Sequence, residues 1–394
     1  MIFYKNIFQM ILVSCYAIYG CQSVFLAFAL PEYNPIYANF ILFDYYACLA
    51  VGLVYFLLKQ KVFGRKLLLL VVPCTYWIFQ SCTNLDNYKG EWTIPLIIIC
   101  MYILFEKRIQ VGIYRCFYWI VIVTNIISLF MVICFILPID IGFVFVPYYS
   151  GDQLASYIQW GIFAIYQYEF TFRLCGIFNE PGALGTVCAL LFILSYEKSK
   201  FWEKFVLIVS GMLTLSLAFG ILIISFALCK SFIGKNRMVN IFSIFTLIAA
   251  FMLAPNIDFG DDAVNLYFSR FEITEDGLKG DNRMEEGRDT ALYEQFLNSN
   301  DILWGYGAGY YHEGGAGLKV NLLMPYGLIG TGIILIEWIL LFYCILKNKK
   351  EGLLFAFLFL LSIYQRPYAL FGIYGYILSI GGLEWIENKK MGKC

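Results

Sequence analysis

The chain has 394 residues, of which 61% are apolar, 19% aromatic and only 14% charged. Soluble domains carry about 25% charged residues, so this composition belongs to a protein that keeps much of its surface away from water. Lys plus Arg (28) equals Asp plus Glu (28), and the zero net charge argues against nucleic-acid binding, which needs a basic excess.

The apolar residues fall in long runs and do not alternate, which disfavours an outer-membrane β-barrel. The expected class is all-α: a polytopic helical membrane protein of about 12 transmembrane helices, since a crossing helix needs about 20 apolar residues. The runs are 7–30, 36–58, 67–82, 92–105 and 111–138 in a first group of five. A middle group of four follows at 181–196, 203–217, 218–232 and 238–254, and a last group of three at 318–346, 351–366 and 368–387. Residues 203–232 could form one long tilted helix. The clustering of Thr214, Ser216 and Gly220 within that run favours two. Only Lys5 precedes the first run, which is too long for a signal peptide and reads as a retained span.

These groups define an organisation of five segments: 1–138, a first long outer loop 139–180, 181–254, a second long outer loop 255–317, and 318–394. With both termini inside, all but eight of the 28 basic residues fall in cytoplasmic connections, as the positive-inside rule requires. The eight are Lys89, Arg173, Arg270, Lys279, Arg283, Arg288, Lys319 and Arg366. The cytoplasmic connections are short and contain no P-loop, so any chemistry is expected on the outer face, with an activated substrate delivered by the membrane. Most of the 13 cysteines lie in apolar runs without a CxxC pair and read as small hydrophobes. Asp44, Glu337 and Glu384 fall inside apolar runs; such residues usually face a bundle interior. Glu384 is near enough to the cytoplasmic end to be interfacial.

Several polar constellations stand on the outer side. Arg173 is followed by Glu180-Pro181 at the start of an apolar run; these are ordinary helix-start signals, and equally a place to hold an anion. Arginine suits that role because its guanidinium can grip a phosphate through two parallel bonds. In the acidic second loop, Met284, Leu292, Phe296 and Leu297 fall roughly on one helical face. The segment therefore reads as an amphipathic helix, either simply packed on the bundle or also aiming Arg283 and Arg288 into a cleft. The stretch from Gly305 to Gly317 is glycine-rich, permitting tight turns and close backbone approach to a ligand, but it is neither a P-loop nor a dinucleotide fingerprint. It contains His312, the only histidine, whose pKa range suits a general base. One histidine and no cysteine cluster make a zinc site unexpected, and no cofactor is implied. Arg366-Pro367 stands at the outer end of its run and could join the arginine set.

Three stretches together resemble the bacterial O-antigen polymerase and O-antigen ligase families. Arg173-x-x-Gly176-x-x-x-Glu180-Pro181 is similar to an R-x-x-G…[ED]-P stretch that opens the middle helix cluster. Thr214-Leu215-Ser216-x-x-x-Gly220 resembles a T-x-S-R-x-G turn, with Ala218 and Phe219 where a basic residue is common. Gly287-Arg288, then Gly305-x-Gly307-x-Gly309, then Asn321…Gly327-Leu-Ile-Gly330 follows the order R…G-x-G…H-N…G-L-I-G. Val320 stands where ligases often have the histidine, which tilts the resemblance towards a polymerase.

The resemblance implies a glycosyltransferase of the bacterial cytoplasmic (inner) membrane acting on an undecaprenyl-pyrophosphate-linked glycan at its outer face. For the transfer so implied, the candidate catalytic residues are Arg173, Arg288, Glu180 and His312. Arg283, Arg366, Asn321, Tyr310 and Tyr311 are candidates to bind the pyrophosphate or glycan. Its expected partners are the lipid-linked glycan, the bilayer, and a chain-length regulator and flippase of the same pathway. A ligase of the same family and a lipid-linked oligosaccharide flippase are the alternatives. Transporters usually show internal repeats, and none is evident between residues 1–196 and 203–394.

Overall fold

The computed structural model describes residues 2–22, 35–58, 68–83, 93–150, 153–168, 171–178, 180–233, 253–258, 288–307, 318–346, 350–364 and 366–390, with isolated positions between 245 and 278. Helix predominates among them, and the chain divides into two compact units, 1–121 with 284–394, and 122–283.

The first unit begins with α1 (Ile2–Gln22), α2 (Pro35–Leu58), α3 (Val71–Thr83) and α4 (Thr93–Leu104). The chain then breaks at Phe105–Glu106 and enters α5 (Lys107–Ile136). The Glu106 carbonyl accepts the first amides of α5, from Ile109 at 2.9 Å and Gln110 at 3.0 Å. The buried Gln110 side chain donates to the carbonyls of Tyr102 and Ile103, both at 3.0 Å. Those are terminal carbonyls of α4, which helix geometry leaves short of partners, and Tyr102 O also accepts from the Phe105 amide at 3.2 Å. One glutamine thereby closes the turn.

Residues from 284 onwards complete this unit with α9 (Arg288–Leu297), α10 (Met324–Leu346), α11 (Lys350–Ile363) and α13 (Leu383–Lys390), the short α12 (Ile373–Tyr376) preceding the last. Its core is aromatic: Trp338 lies 4.8 Å from Tyr376 and 5.1 Å from Phe359, ring centre to ring centre. Lys107 pairs with Glu384 at 2.6 Å.

Two features of this unit depart from a set of uniform helices. The expected run 368–387 is a short 3₁₀ turn, α12, a π turn over Ile377–Gly382, and α13. The expected run 318–346 is interrupted at Gly327, where φ is 63° and ψ is −174°.

In the second unit, the C-terminal part of α5 is followed by a four-stranded antiparallel meander. It comprises β1 (Val144–Ser150), β2 (Gln153–Trp160), β3 (Phe163–Tyr168) and β4 (Thr171–Gly176). The segment 139–180, expected to be a loop in an all-α chain, thus holds a sheet, while the chain as a whole is mostly helical. Strand-forming Val, Ile, Tyr, Phe and Trp residues fill it, with Gly151-Asp152 and Gly161 punctuating the runs.

After the sheet come α6 (Pro181–Ser195), α7 (Phe201–Leu213) and α8 (Leu217–Ile233). Every residue of α6 is buried, as expected of a helix that is apolar all round. Residues 203–232 do form two helices. They separate at Thr214–Ser216, where Leu215 adopts a φ of 48°. Among the described residues, two helices are long and apolar enough to cross a membrane: Lys107–Ile136, and Lys319–Leu346, which joins a π turn to α10. The proposed span 238–254 and most of 255–287 lie outside the described residues.

Candidate functional site

Arg173 is the middle of β4, paired across the sheet with Tyr166. The strand delivers the chain to Glu180, whose extended backbone (φ −152°, ψ 154°) caps α6, with Pro181 at the first helical position. The Glu180 carbonyl accepts from the Ala183 amide at 3.2 Å, while its side chain makes no capping bond. This is the helix start that the Glu-Pro pair implies.

Arg173 is half-buried, and its Nε donates to the Thr214 carbonyl at 3.0 Å. Thr214 is the C-terminal cap of α7, so the guanidinium meets the negative end of that helix. Thr214 is fully buried; its hydroxyl donates to Gly211 O at 2.6 Å and accepts from the Ser216 amide at 3.2 Å. Opposite, Gly185 of α6 leaves no room for a side chain: a Cβ there would lie 2.7 Å from Thr214 Oγ1 and 2.8 Å from Ser216 Cβ. The first two stretches that carry the family resemblance therefore meet, although Arg173 and Thr214 are 41 residues apart. Arg173 cannot swing freely, because its Nε bond fixes the plane of the guanidinium.

Of the remaining candidates, Arg283 ends the same unit, and Arg288, Tyr310, Tyr311, His312, Asn321 and Arg366 belong to the other. Arg288 opens α9, and its side chain lies outside the described residues, as do Arg283, Gly309, Tyr310, Tyr311 and His312. α9 is amphipathic as expected. Phe296 is fully buried against Val320 and Met324, with Leu292 and Tyr293 beside it. Leu297 corrects the expected face: it is 41% exposed, and Tyr293 takes its place. The phase fits, since 289, 292/293 and 296 follow helical spacing whereas 297 turns away. Lys319 sits over the Tyr293 ring, 5.1 Å from its centre, and burial pushes the Tyr293 phenol above its ordinary range.

The glycines at 305 and 327 have a role that spacing alone does not reveal. Their backbones cross. A Cβ on Gly305 would collide with the Pro325 carbonyl and lie 2.6 Å from Gly327 N; a Cβ on Gly327 would collide with the Leu303 carbonyl and lie 2.6 Å from Gly305 N. Tyr306 N donates to Met324 O at 2.8 Å, Gly307 N to Pro325 O at 3.0 Å, and Ile329 N to Leu303 O at 3.1 Å. Expected to approach a ligand, Gly305 approaches another backbone. Asn321 lies in the π turn Lys319–Leu323, and its amide nitrogen is buried without a hydrogen-bond partner among the described residues. Arg366 is only 4% exposed. The Leu318 amide donates to Tyr364 O at 3.0 Å, tying together the segments that carry Asn321 and Arg366.

No protein-family model, no curated protein and no solved structure matches this chain. The site is therefore read from its own geometry.

Of the carboxylates inside apolar runs, Glu337 has a distant partner that periodicity could not supply and Asp44 a local one. Glu337 accepts a hydrogen bond from the Thr75 hydroxyl at 2.5 Å, 262 residues away in sequence. Asp44, buried in α2, accepts from the Cys48 thiol one turn along, at 4.0 Å. Neither partner is basic. Among the described residues, no three His, Cys, Asp or Glu side chains are grouped closely enough to hold a metal ion.

Proposed function

We propose that this chain is a polytopic glycosyltransferase of the bacterial cytoplasmic membrane, with about 12 spans and both termini inside, that polymerises a surface polysaccharide. The donor is an undecaprenyl-pyrophosphate-linked glycan at the outer face, and the acceptor is the sugar end of another lipid-linked repeat. The observation that carries this reading is the bond between Arg173 and the Thr214 carbonyl. It brings together two separate stretches that resemble the same enzyme family, and it holds a guanidinium in one orientation.

In the transfer, the acceptor hydroxyl attacks the anomeric carbon and the bond to the pyrophosphate breaks. Negative charge grows on the leaving group, so a cation fixed in advance lowers the barrier. Arg173 and Arg288 supply that charge, supported by Arg283 and Arg366. Glu180 or His312 takes the proton of the attacking hydroxyl. Asn321, Tyr310 and Tyr311 bind the glycan. The chemistry needs no metal.

The test uses purified protein in liposomes supplied with an undecaprenyl-pyrophosphate-linked repeat unit, with product length resolved on gels. Wild type yields a ladder, unchanged by a chelator. Arg173→Ala lowers the rate by about 10²-fold or more. Arg173→Lys does not restore it, because an ammonium lacks the planar two-bond geometry. Thermal unfolding of each variant in detergent reports any loss of the α7 cap separately. Full polymerisation by Arg173→Ala overturns the assignment of Arg173. Movement of the lipid-linked repeat across the bilayer without lengthening identifies a flippase instead, and transfer of preformed polymer to a different acceptor identifies a ligase.

A further inference from the structure

The meander does not simply cap the outer end of α5; it runs back alongside it. The Trp160 ring, at the end of β2, packs against Phe130 with ring centres 6.4 Å apart. Phe130 lies six residues before the helix end at Ile136, about 9 Å along the axis. The end of β4 lies deeper still: a Cβ on Gly176 would be 3.2 Å from Ser128 Oγ and 3.9 Å from Asn125 Oδ1. The hairpin tip between β2 and β3 therefore lies beside the outer turns of α5, below the helix end.

That tip is apolar. It reads Trp160-Gly161-Ile162-Phe163, with Ile162 37% exposed, and the start of β1 adds Phe145 at 64%. The connections at the opposite end of the meander carry Asp152 and Glu169 in sequence. The sheet thus has one greasy end and one acidic end. The greasy end continues an exposed stripe on α5 formed by Val123, Ile126, Phe130 and Ile133. One further detail fits a place poor in water: the Gly161 carbonyl in the turn accepts a hydrogen bond from the buried Gln159 side chain at 2.9 Å. A turn bathed in water would not need that partner, whereas a carbonyl facing lipid without one is costly.

We propose that the β2–β3 tip, flanked by the start of β1, is a membrane-inserted hairpin that rests in the outer leaflet, its occupant being lipid acyl chains near the headgroup boundary. The inference rests on reading α5 as a membrane span. A 30-residue helix is about 45 Å long against a hydrocarbon core of about 30 Å, so its last turns reach the headgroup layer. A tip beside Phe130 then stands at the hydrocarbon boundary, where Trp160 has the usual place of an interfacial aromatic. Because β4 carries Arg173, the same sheet joins a lipid-facing tip to the fixed guanidinium of the proposed site.

The test places an environment-sensitive fluorescent amino acid at position 162 in the full-length protein, reconstituted in phosphatidylcholine vesicles with or without doxyl-labelled acyl chains. Position 145 serves as a second site on the neighbouring strand, should replacement at 162 disturb the turn. Position 126 on the α5 stripe reports the membrane reading itself, and exposed Asp258 serves as the water reference. The expected result is quenching at 162 and 145 comparable to that at 126 and several-fold greater than at 258. Quenching at 126 with none at 162 or 145 overturns the inserted hairpin and leaves the span intact, as would be the case if a soluble partner covered the tip. No quenching at 126 overturns the membrane reading, and the hairpin with it.

Discussion

Asp258 shows how much one exposed residue can be tuned by its neighbours. Its carboxylate accepts from the Gly260 amide at 2.9 Å and from the Asn265 side chain at 2.7 Å. These donors, the backbone amide first, hold its pKa below the ordinary aspartate value. With the folded value depressed, the turn is anchored above the ordinary aspartate range and loses its anchor as pH falls through the lowered value. Carbon NMR titration of labelled aspartate should show this, and Asn265→Ala should move the midpoint back upwards. An unchanged midpoint would mean that the amide bond of Asn265 contributes nothing. Local signals of this kind are legible in sequence, since Asp two residues before Gly is a turn signature. The Glu337–Thr75 bond is not, because no pattern within either helix relates residues 262 positions apart.

At the scale of elements, legibility followed periodicity. Thr214 and Ser216 marked the end of α7 because hydroxyl side chains compete for backbone groups, and the helix does stop there with Thr214 bonded to Gly211 and Ser216. Phe296 was readable as a core residue of α9. Leu297 was not separable from Tyr293 without the true helical phase. The meander is the element least legible in the sequence. Hydrophobic residues continue from 111 to 149 with few polar breaks, and the strands show no regular alternation that would separate them from helix or loop. Helix ends yield a sharper prediction. Gln110→Ala removes the Gln110 bond to the buried Ile103 carbonyl and leaves Tyr102 O only the Phe105 amide, at a cost of about 1–3 kcal/mol. Chemical unfolding in detergent should register that loss, and Gln110→Met, which keeps the volume, should not recover it. Recovery by methionine would show that packing, not capping, holds the turn.

At the scale of the whole molecule, the zero net charge conceals an asymmetry on which the proposed orientation rests. The bases concentrate in the short connections assigned to the inside, while many of the acids fall in the segment 255–317, assigned to the outside. That asymmetry predicts opposite accessibility for two positions. Asp258→Cys should react with a membrane-impermeant maleimide in intact cells stripped of their outer layers, and Lys349→Cys only after lysis. The reverse pattern would invert the topology and move the Arg173 site to the cytoplasmic side. Sequence was informative here because charge sorting is a sum over many residues. The meeting of Arg173 with Thr214 is a single long-range contact, and only the order of the resembling motifs hinted at it.

The crossing of residues 303–307 with 324–329 has a consequence for how the protein tolerates change. A methyl on Gly305 would strike the backbone of 325–327, and a methyl on Gly327 the backbone of 303–305. Both also hold a positive φ, 80° and 63°, which an L side chain resists. Gly305→Ala and Gly327→Ala should each cost at least about 1–3 kcal/mol of stability. The dihedral part of that cost stays with each residue, but both collisions are relieved by parting the same two segments, and that part is shared. The double variant should therefore unfold at a denaturant concentration clearly above that expected from summing the two single losses. Strict additivity would show that the two collisions are relieved separately. Sub-additivity would mean that the first substitution at this crossing opens the way for the second, so that the glycines are lost together more readily than one at a time.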